Sequence, residues 1–249
     1  MAQPEIALQM YTVRDDARAD FVGTLRKVAR IGYPAVQLAG DGGLSAAALK
    51  AVLDELGLKV AGSHVDLGRL ESALDAEVAY NRTLGNLDLV CPVAPRAMRE
   101  SADGYHQLAA TLNAIGRRCQ EAGARLSYHD HAFEFERFGQ TTGMEIILSE
   151  TDPGLVFWEP DVYWIAFAKE DPSAWIRRHP GRCPLVHLKD MTAGPEPTYA
   201  EVGEGVLDFQ PIFAATAAAE WYVVEQDTCA RPPLESAALS LKHLKDWGK

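Results

Sequence analysis

Ionisable residues close four short apolar segments in the second half of this chain. The segments read YHDH at residues 128–131, WEPD at 158–161, VHLK at 186–189 and VEQD at 224–227. Residues i and i+2 of an extended chain point to the same side, so each segment would present its polar side chains together. Histidine and carboxylate groups are the ligands that borderline or hard divalent cations prefer. We therefore predict a divalent metal site built jointly by the four segments.

Each of these residues also has an ordinary structural explanation when it is considered alone. A strand-end histidine is usually a surface or loop residue, and a carboxylate pair such as Glu159 and Asp161 often caps a helix. Lys189 could form a salt bridge with either carboxylate, and Glu225 and Asp227 could simply face water. The repetition of the pattern over four consecutive segments favours the metal site over these alternatives.

Neutral hydrogen-bonding groups occupy the corresponding positions in the first half of the chain. Gln9 with Tyr11, then Gln37 and His64, end the earlier apolar segments, and Trp164 follows the WEPD segment. Amides, imidazoles and aromatic faces bind hydroxyl-rich ligands. We expect these five residues to form a substrate-binding wall opposite the metal, although ordinary packing explains Tyr11 or Trp164 equally well.

The elements that must hold these residues alternate between short apolar runs and amphipathic segments of helical length. Strands are predicted over Ile6–Gln9, Ala35–Leu38, Lys59–His64, Leu87–Cys91, Arg125–His129, Leu155–Glu159, Pro184–Lys189 and Trp221–Glu225. Helices such as Phe21–Ile31, Ala46–Leu56, Tyr105–Glu121 and Phe209–Ala219 lie between them. Eight such βα units without a linker fit one closed (β/α)8 TIM barrel spanning residues 1–249. Functional groups of such a barrel gather where its strands end.

A dinucleotide-binding fold fits the sequence less well. The first βα turn, at residues 9–13, contains no glycine. The GxG motif at residues 203–205 is flanked by two glutamates, and Asp208 occupies the place of the third glycine. A phosphate-binding turn requires that glycine, whereas an aspartate suits a helix N-cap. We therefore expect Asp208 to begin a helix.

The charge balance bears on the partners of the chain. Its 24 basic and 35 acidic residues give a formal charge of -11, which repels nucleic acid and anionic membrane surfaces. No apolar run approaches the roughly 20 residues that span a bilayer, and the start has no signal-peptide pattern, so we expect a cytoplasmic protein. The four widely spaced cysteines form no CxxC pair and are expected to be reduced thiols.

Six segments carry a family resemblance that covers nearly the whole chain. They are LQMYTVRD near the start, YHDHAFEF after the fifth strand, EPDVYW after the sixth, VHLKD on the seventh, VGEGVLDF in the following loop and WYVVEQD on the eighth. In their order and spacing, they resemble the sugar phosphate isomerase/epimerase superfamily with the xylose-isomerase-like TIM barrel. This superfamily also includes inosose dehydratase and endonuclease IV.

The resemblance implies a single divalent ion bound by His129, Asp161, His187 and Glu225. The epimerases most similar to this chain carry glutamate at the strand-five position, where it pairs with the strand-eight glutamate as a second acid/base. His129 departs from that pattern, so His131 or Glu134 would have to supply the second proton carrier. Whether His129 or Glu134 completes the metal shell stays open, and Glu134 is also a substrate-binding candidate. Inosose dehydratase-like members place histidines here too, which leaves dehydration open.

We predict an isomerase or epimerase that removes a proton next to a carbonyl of a sugar, keto-sugar or cyclitol. A divalent cation that contacts two adjacent substrate oxygens stabilises the enediolate that forms; Mn, Mg, Zn, Co and Fe are not distinguished. Glu225 is the predicted base, His131 a second proton carrier, and Lys189 a group that holds a substrate oxygen. The loop before the last strand carries three glutamates and no basic residue, so a phosphate on the substrate is not expected.

Three other functions are considered. A metal-dependent dehydratase of a keto-polyol would use the same site, but it would eliminate water from the substrate. A sugar-binding barrel that has lost catalysis would bind without turnover. A nuclease would require several metals and a basic groove, which the acidic composition disfavours. A homo-oligomer is left open.

Overall fold

Eight parallel strands surround a common axis in the computed structural model, which describes residues 3–249. They are β1 (Glu5–Gln9), β2 (Ala35–Leu38), β3 (Lys59–His64), β4 (Asp88–Cys91), β5 (Arg125–His129), β6 (Val156–Glu159), β7 (Leu185–Leu188) and β8 (Trp221–Val224). Their order in the sheet is β6, β5, β4, β3, β2, β1, β8 and β7. A parallel bridge between Asp161 and His187 joins the two end strands. The predicted TIM barrel is confirmed, and two candidate metal ligands lie at its last seam.

Helices cover the outside of the barrel. They are α1 (Arg14–Ala19), α2 (Phe21–Ile31), α3 (Ala46–Leu56), α4 (Leu67–Ser72), α5 (Leu74–Leu84), α6 (Ala102–Glu121), α7 (Gly143–Glu150), α8 (Val162–Phe167), α9 (Pro172–Arg178), α10 (Phe209–Ala215) and α11 (Pro233–Asp246). Short 3-10 turns occupy Met10–Val13, Arg96–Met98 and Ala132–Phe135. Two small hairpins pair Arg137–Phe138 with Thr141–Thr142 and Asp190–Met191 with Tyr199–Ala200.

Two of the predicted helices differ from the structure at one end. Helix α6 begins three residues earlier than predicted, because the Ser101 side chain accepts a hydrogen bond from Gly104 N–H and caps the first turn. The helix predicted over 209–219 ends at Ala215. There the Thr216 hydroxyl bonds the Ile212 carbonyl and the Tyr222 hydroxyl, and the chain turns toward β8.

Four predicted strands are shorter in the structure. The paired segments exclude Leu87, Leu155 and Pro184 at their starts, and Lys189 and Glu225 at their ends. Proline cannot donate to the sheet ladder, and the carbonyl of Pro184 instead accepts hydrogen bonds from Glu220 and Trp221. Lys189 and Glu225 consequently stand just beyond β7 and β8, where side chains reach the barrel mouth.

The barrel interior changes from apolar to polar along the strands. Ala7, Ala35, Ala61, Val90, Leu185 and Val223 pack together as one small cluster. Because strand side chains alternate, the residues two positions later point the same way. Those residues include Gln9, Gln37, His187 and Glu225, all of which are buried. The alternation therefore places an apolar floor below a polar layer at the mouth.

Three smaller features concern caps, thiols and membranes. Asp208 is the N-cap of α10, as predicted, and accepts a hydrogen bond from Gln210 N–H at 3.0 Å. The four cysteines are free thiols, which agrees with the prediction. Within residues 3–249, no helix has both the length and the apolar character needed to cross a bilayer.

Candidate active site

The four predicted metal ligands converge at the barrel mouth. One ligand atom from each of His129, Asp161, His187 and Glu225 lies within 4.8 Å of the other three. All four residues are buried, and they come from the ends of β5, β6, β7 and β8. The barrel topology brings together residues that are separated by up to 96 positions in the sequence. Two nitrogens and two carboxylates form a donor set that suits a divalent cation.

The two carboxylate oxygens of Asp161 make different contacts. As the N-cap of α8, its Oδ1 accepts hydrogen bonds from the backbone N–H groups of Tyr163 and Trp164 at 3.0 and 3.3 Å. Its Oδ2 points to the centre, 3.8 Å from Nε2 of His129 and 2.8 Å from Nζ of Lys189. Helix capping and a place in the site are therefore compatible, because the cap fixes the direction of the second oxygen.

Lys189 is a buried ammonium surrounded by carboxylates. Its Nζ lies 2.8 Å from oxygens of each of Asp161, Glu225 and Asp227, and its side chain is 1% exposed. Burial alone would lower the pKa of Lys189, but the three carboxylates outweigh burial and raise that pKa well above its ordinary value. Lys189 therefore carries a positive charge, and its salt bridges include Asp161 but not Glu159.

His187 and Glu225 form a close ion pair. His187 Nδ1 lies 2.8 Å from Glu225 Oε2. Burial opposes the charge on His187, yet Glu159 and Glu225 outweigh burial and raise its pKa to about 10. Burial would also raise the pKa of Glu225, but Lys189 and His187 hold it well below the usual range. Burial raises the pKa of Asp161 to about 6, with Lys189 and His187 acting in the opposite direction.

Glu159 and Gln37 occupy the other side of the histidines. Glu159 is fully buried, and His64 Nε2 lies 2.9 Å from its Oε2. Gln37 donates a side-chain hydrogen bond to Glu159 and accepts one from His187. Gln9 in turn donates to Gln37 at 2.7 Å. The structure thus places Gln9 and Gln37 inside the barrel, with no exposed surface, rather than on an open wall.

Glu159 and Asp227 belong to the predicted segments, but neither was named as a ligand, a base or a substrate-binding residue. Both were visible as strand-end carboxylates, each two positions from a predicted site residue or ligand. The i and i+2 spacing carried the signal, because it predicts that Glu159 faces the same way as Asp161 and that Asp227 faces the same way as Glu225. Only the folded arrangement shows that one contacts the imidazoles and the other contacts Lys189.

His131 and Glu134 have different exposures. His131 lines the cavity, its Nδ1 has no hydrogen-bond partner, and burial lowers its pKa to about 3. Glu134 is fully buried behind it and accepts hydrogen bonds from the Tyr128 hydroxyl at 2.6 Å and from His131 N–H at 2.7 Å. Burial raises the pKa of Glu134 to about 8. Glu134 contacts neither the cavity nor the ligand cluster and instead anchors the turn that presents His131.

A cavity of about 680 Å³ opens directly onto this centre. His64, His131 and Tyr11 line it together with Lys189, Glu225 and Asp227. Trp164 lies behind that wall, with its ring 5.5 Å from the His131 ring and 5.7 Å from Lys189 Nζ. The volume lies within the range of roughly 300–1,000 Å³ that small-molecule sites occupy.

The net charge of the side chains around the candidate ligands bears on whether a cation suits the cluster. Glu159, Asp161, Glu225 and Asp227 carry four negative charges when ionised, while Lys189 and His187 carry two positive ones. The two excess negative charges attract a divalent cation, and His187 must give up one hydrogen to become its ligand. His129 Nδ1 and Asp161 Oδ2 are buried without a hydrogen bond of normal geometry, although other charged groups lie nearby. By charge and donor type, the residues fit a divalent cation.

Asp190 fixes the loop that follows β7. Its buried carboxylate accepts hydrogen bonds from the N–H groups of Met191, Gly203, Gly205 and Leu207 at 2.8–3.0 Å. A Cβ on Gly205 would overlap the same carboxylate, since it would lie 2.2 Å from an Asp190 oxygen. The VGEG segment therefore wraps a carboxylate of its own chain and does not cradle a phosphate.

Comparison with known proteins identifies related sequences. A family model described as xylose isomerase-like TIM barrel matches residues 25–247. Inosose dehydratase of Clostridium beijerinckii is 30% identical over 162 residues, which cover 56% of this chain and 53% of that protein. Inosose dehydratase of Geobacillus kaustophilus is 24% identical over 263 residues, which cover 88% of this chain and 85% of the relative. The Clostridium alignment thus spans about half of the relative's length.

Similarity to solved structures extends over almost the entire chain. A sugar phosphate isomerase/epimerase from Parabacteroides distasonis superposes with a TM-score of 0.83 at 24% identity. The match covers 98% of this chain and 94% of that one. At this level of identity the likeness shows the shared fold.

Proposed function

This chain belongs to the xylose isomerase-like TIM barrel family, and from that premise we propose that it is a sugar isomerase or epimerase dependent on one divalent cation. The proposed substrate is a sugar, keto-sugar or cyclitol from which a proton next to a carbonyl is removed. One observation carries the proposal: four ligand-type side chains from four strands meet within 4.8 Å beside the cavity.

His129, Asp161, His187 and Glu225 would hold the cation. When bound, it would supply positive charge to the substrate oxygens on which negative charge develops. Glu225 is the proposed base, because its carboxylate lines the cavity and is kept ionised by Lys189 and His187. Lys189 lines the same space, and it would hold a substrate oxygen in exchange for one of its three carboxylate contacts.

His131 is the proposed second proton carrier. It faces the cavity in its neutral form, with one ring nitrogen free of hydrogen bonds. Glu134 supports this role indirectly by bonding the His131 backbone N–H. Trp164 lies behind His131 and does not line the cavity, so its proposed role is to support that ring and not to bind substrate itself.

An uncharged substrate fits the cavity better than a sugar phosphate does. Of the residues that line it, Arg69 and Lys189 are the cations, and both are already paired with carboxylates. Asp41, Asp66 and Asp227 add negative charge to the same walls. A phosphate group would meet net repulsion there, whereas hydroxyl groups find acceptors.

Dehydration of a keto-polyol is the second candidate. His129 stands where a two-carboxylate mechanism would need an acid/base, and the neighbouring His131 offers a neutral imidazole instead. The relatives named inosose dehydratase support the same alternative. Both reactions begin with removal of a proton next to a carbonyl, so the same residues serve either.

The test is elemental analysis of the purified protein, followed by incubation with a panel of keto-sugars and cyclitols in heavy water. Deuterium entering a C–H position without a change of composition would support the isomerase or epimerase. A product that has lost one water would support the dehydratase. Sugar binding without either reaction, in metal-loaded protein, would contradict both and indicate a binding protein.

A further inference from the structure

Glu159 lies on the opposite side of the two candidate histidine ligands from the other carboxylates. Its Oε2 is 3.2 Å from Nδ1 of His129 and 3.2 Å from Nε2 of His187, close enough for charge attraction, although His129 Nδ1 makes no hydrogen bond of normal geometry. The opposite ring nitrogens face the remaining ligands: His129 Nε2 is 3.8 Å from Asp161 Oδ2, and His187 Nδ1 is 2.8 Å from Glu225 Oε2. Each imidazole therefore lies between Glu159 and a candidate metal-binding carboxylate.

The position of Glu159 is fixed from β2 by Gln37. The Gln37 amide nitrogen donates to Glu159 Oε1, and its oxygen accepts from His187 Nε2 at 2.6 Å and from Gln9 at 2.7 Å. Gln9, Gln37, Glu159 and His187 are all fully buried. An amide held this way presents its acceptor to His187 and its donor to Glu159, so a hydrogen stays on Nε2 of His187 whether or not Nδ1 also carries one.

We propose that Glu159, held by Gln37, is a positioning residue that keeps the protons of both histidine ligands on the nitrogens facing it. Nδ1 of His129 and Nε2 of His187 then carry hydrogen, so Nε2 of His129 is bare and Nδ1 is the nitrogen of His187 that gives up its hydrogen to a cation. A ring nitrogen binds metal through a bare lone pair, and a carboxylate on the far nitrogen fixes the tautomer and the ring orientation. The inference rests on the proposed metal site and adds the group that prepares it.

A second cation is the competing explanation for Glu159. His64, His129, Glu159 and His187 also bring ligand atoms within 4.8 Å of one another. That set shares both histidines with the first one, so it would need their far nitrogens to be bare as well. Two ions would then be bridged by imidazole rings. Protonated far nitrogens exclude this arrangement, and the proposal therefore requires one ion per chain.

The first experiment compares Mn²⁺ affinity in wild type and Glu159→Gln by competition with a chelator. We expect the variant to bind Mn²⁺ about 10–100-fold more weakly, the range seen when such supporting groups are removed. Glu201→Gln is the matched control, because Glu201 is also buried but bonds Ser236 and Arg231, away from the histidines. Equal affinity in Glu159→Gln and wild type, or two Mn²⁺ ions per wild-type chain, would overturn the proposal.

The second experiment needs no metal. Long-range ¹H–¹⁵N spectra of metal-free wild-type protein distinguish the two histidine tautomers, and His129→Gln assigns the signal. We expect hydrogen on Nδ1 of His129 and a bare Nε2; the reverse tautomer would overturn the proposal. If wild-type protein binds no divalent ion, the proposed function fails, but this spectrum still decides the role of Glu159.

Discussion

Replacing Lys189 by methionine should destabilise the metal-free protein strongly. Methionine keeps the length of the buried side chain and removes its charge. The ammonium contacts three carboxylate oxygens at 2.8 Å, and the side chains of Asp161 and Glu225 are no more than 5% exposed. Without it, Asp161 and Glu225 lose their cation while they are almost fully shielded from water.

The magnitude follows from the cost of breaking a buried ion pair. Removing one partner of such a pair typically costs about 3–5 kcal/mol. For a chain of this size, each kcal/mol lowers Tm by about 2–4 °C, so we expect Tm to fall by about 6–20 °C. The loss should be smaller at pH 5 than at pH 8, because protonation of the unpaired carboxylates relieves their repulsion.

A divalent cation should restore much of the lost stability. Mn²⁺ at a hundred times its Kd contributes about 2.7 kcal/mol to any folded state that binds it. Because Lys189 contacts two proposed ligands, its removal also removes a competing charge, so the variant should gain more Tm from Mn²⁺ than wild type does.

Thermal unfolding with EDTA and with Mn²⁺, followed by circular dichroism, measures both effects. Lys50→Met is the control, since Lys50 pairs with Asp54 on the surface of α3 and should contribute no more than about 1 kcal/mol. A Lys189→Met protein that melts in EDTA within about 2 °C of wild type would refute the reasoning.

Four further outcomes are expected. Metal uptake at pH 8 should release about one proton per ion, because the pKa of His187 is raised to about 10 and its metal-binding nitrogen must lose hydrogen. Calorimetry in buffers of different ionisation heat measures this release. Uptake without proton release would contradict the prediction. For the same reason the metal-free protein should lose stability as pH rises from about 6.5 toward 10, since that raised pKa lies above the unfolded value and the stabilising charge is present only below it. Glu225→Gln and His187→Ala should each abolish turnover and lower the metal content with little change in circular dichroism; full activity in either variant would count against the assigned site. Asp190→Asn should lower the free energy of unfolding by about 1–3 kcal/mol and expose residues 191–208 to protease, because four backbone N–H groups share that carboxylate; unchanged protease resistance would show that other contacts hold the loop.

The periodicity of the sequence determined the barrel and the end of it that carries the chemistry. Strand-length apolar runs alternating with amphipathic helices leave few arrangements other than parallel βα units. The i and i+2 spacing of polar residues then placed His187 with Lys189, and Glu225 with Asp227, on common faces. These are local properties, so they can be read from neighbouring residues.

The partner of each polar group was decided only by the tertiary structure. Sequence spacing could not show that Lys189 pairs with Asp161, Glu225 and Asp227 but not Glu159. It also could not distinguish Glu134, buried behind His131, from a group facing the cavity. Such contacts join residues from different strands, and their geometry depends on barrel register and side-chain packing. Local patterns therefore predicted which residues reach the mouth, whereas closure of the barrel determined which of them meet.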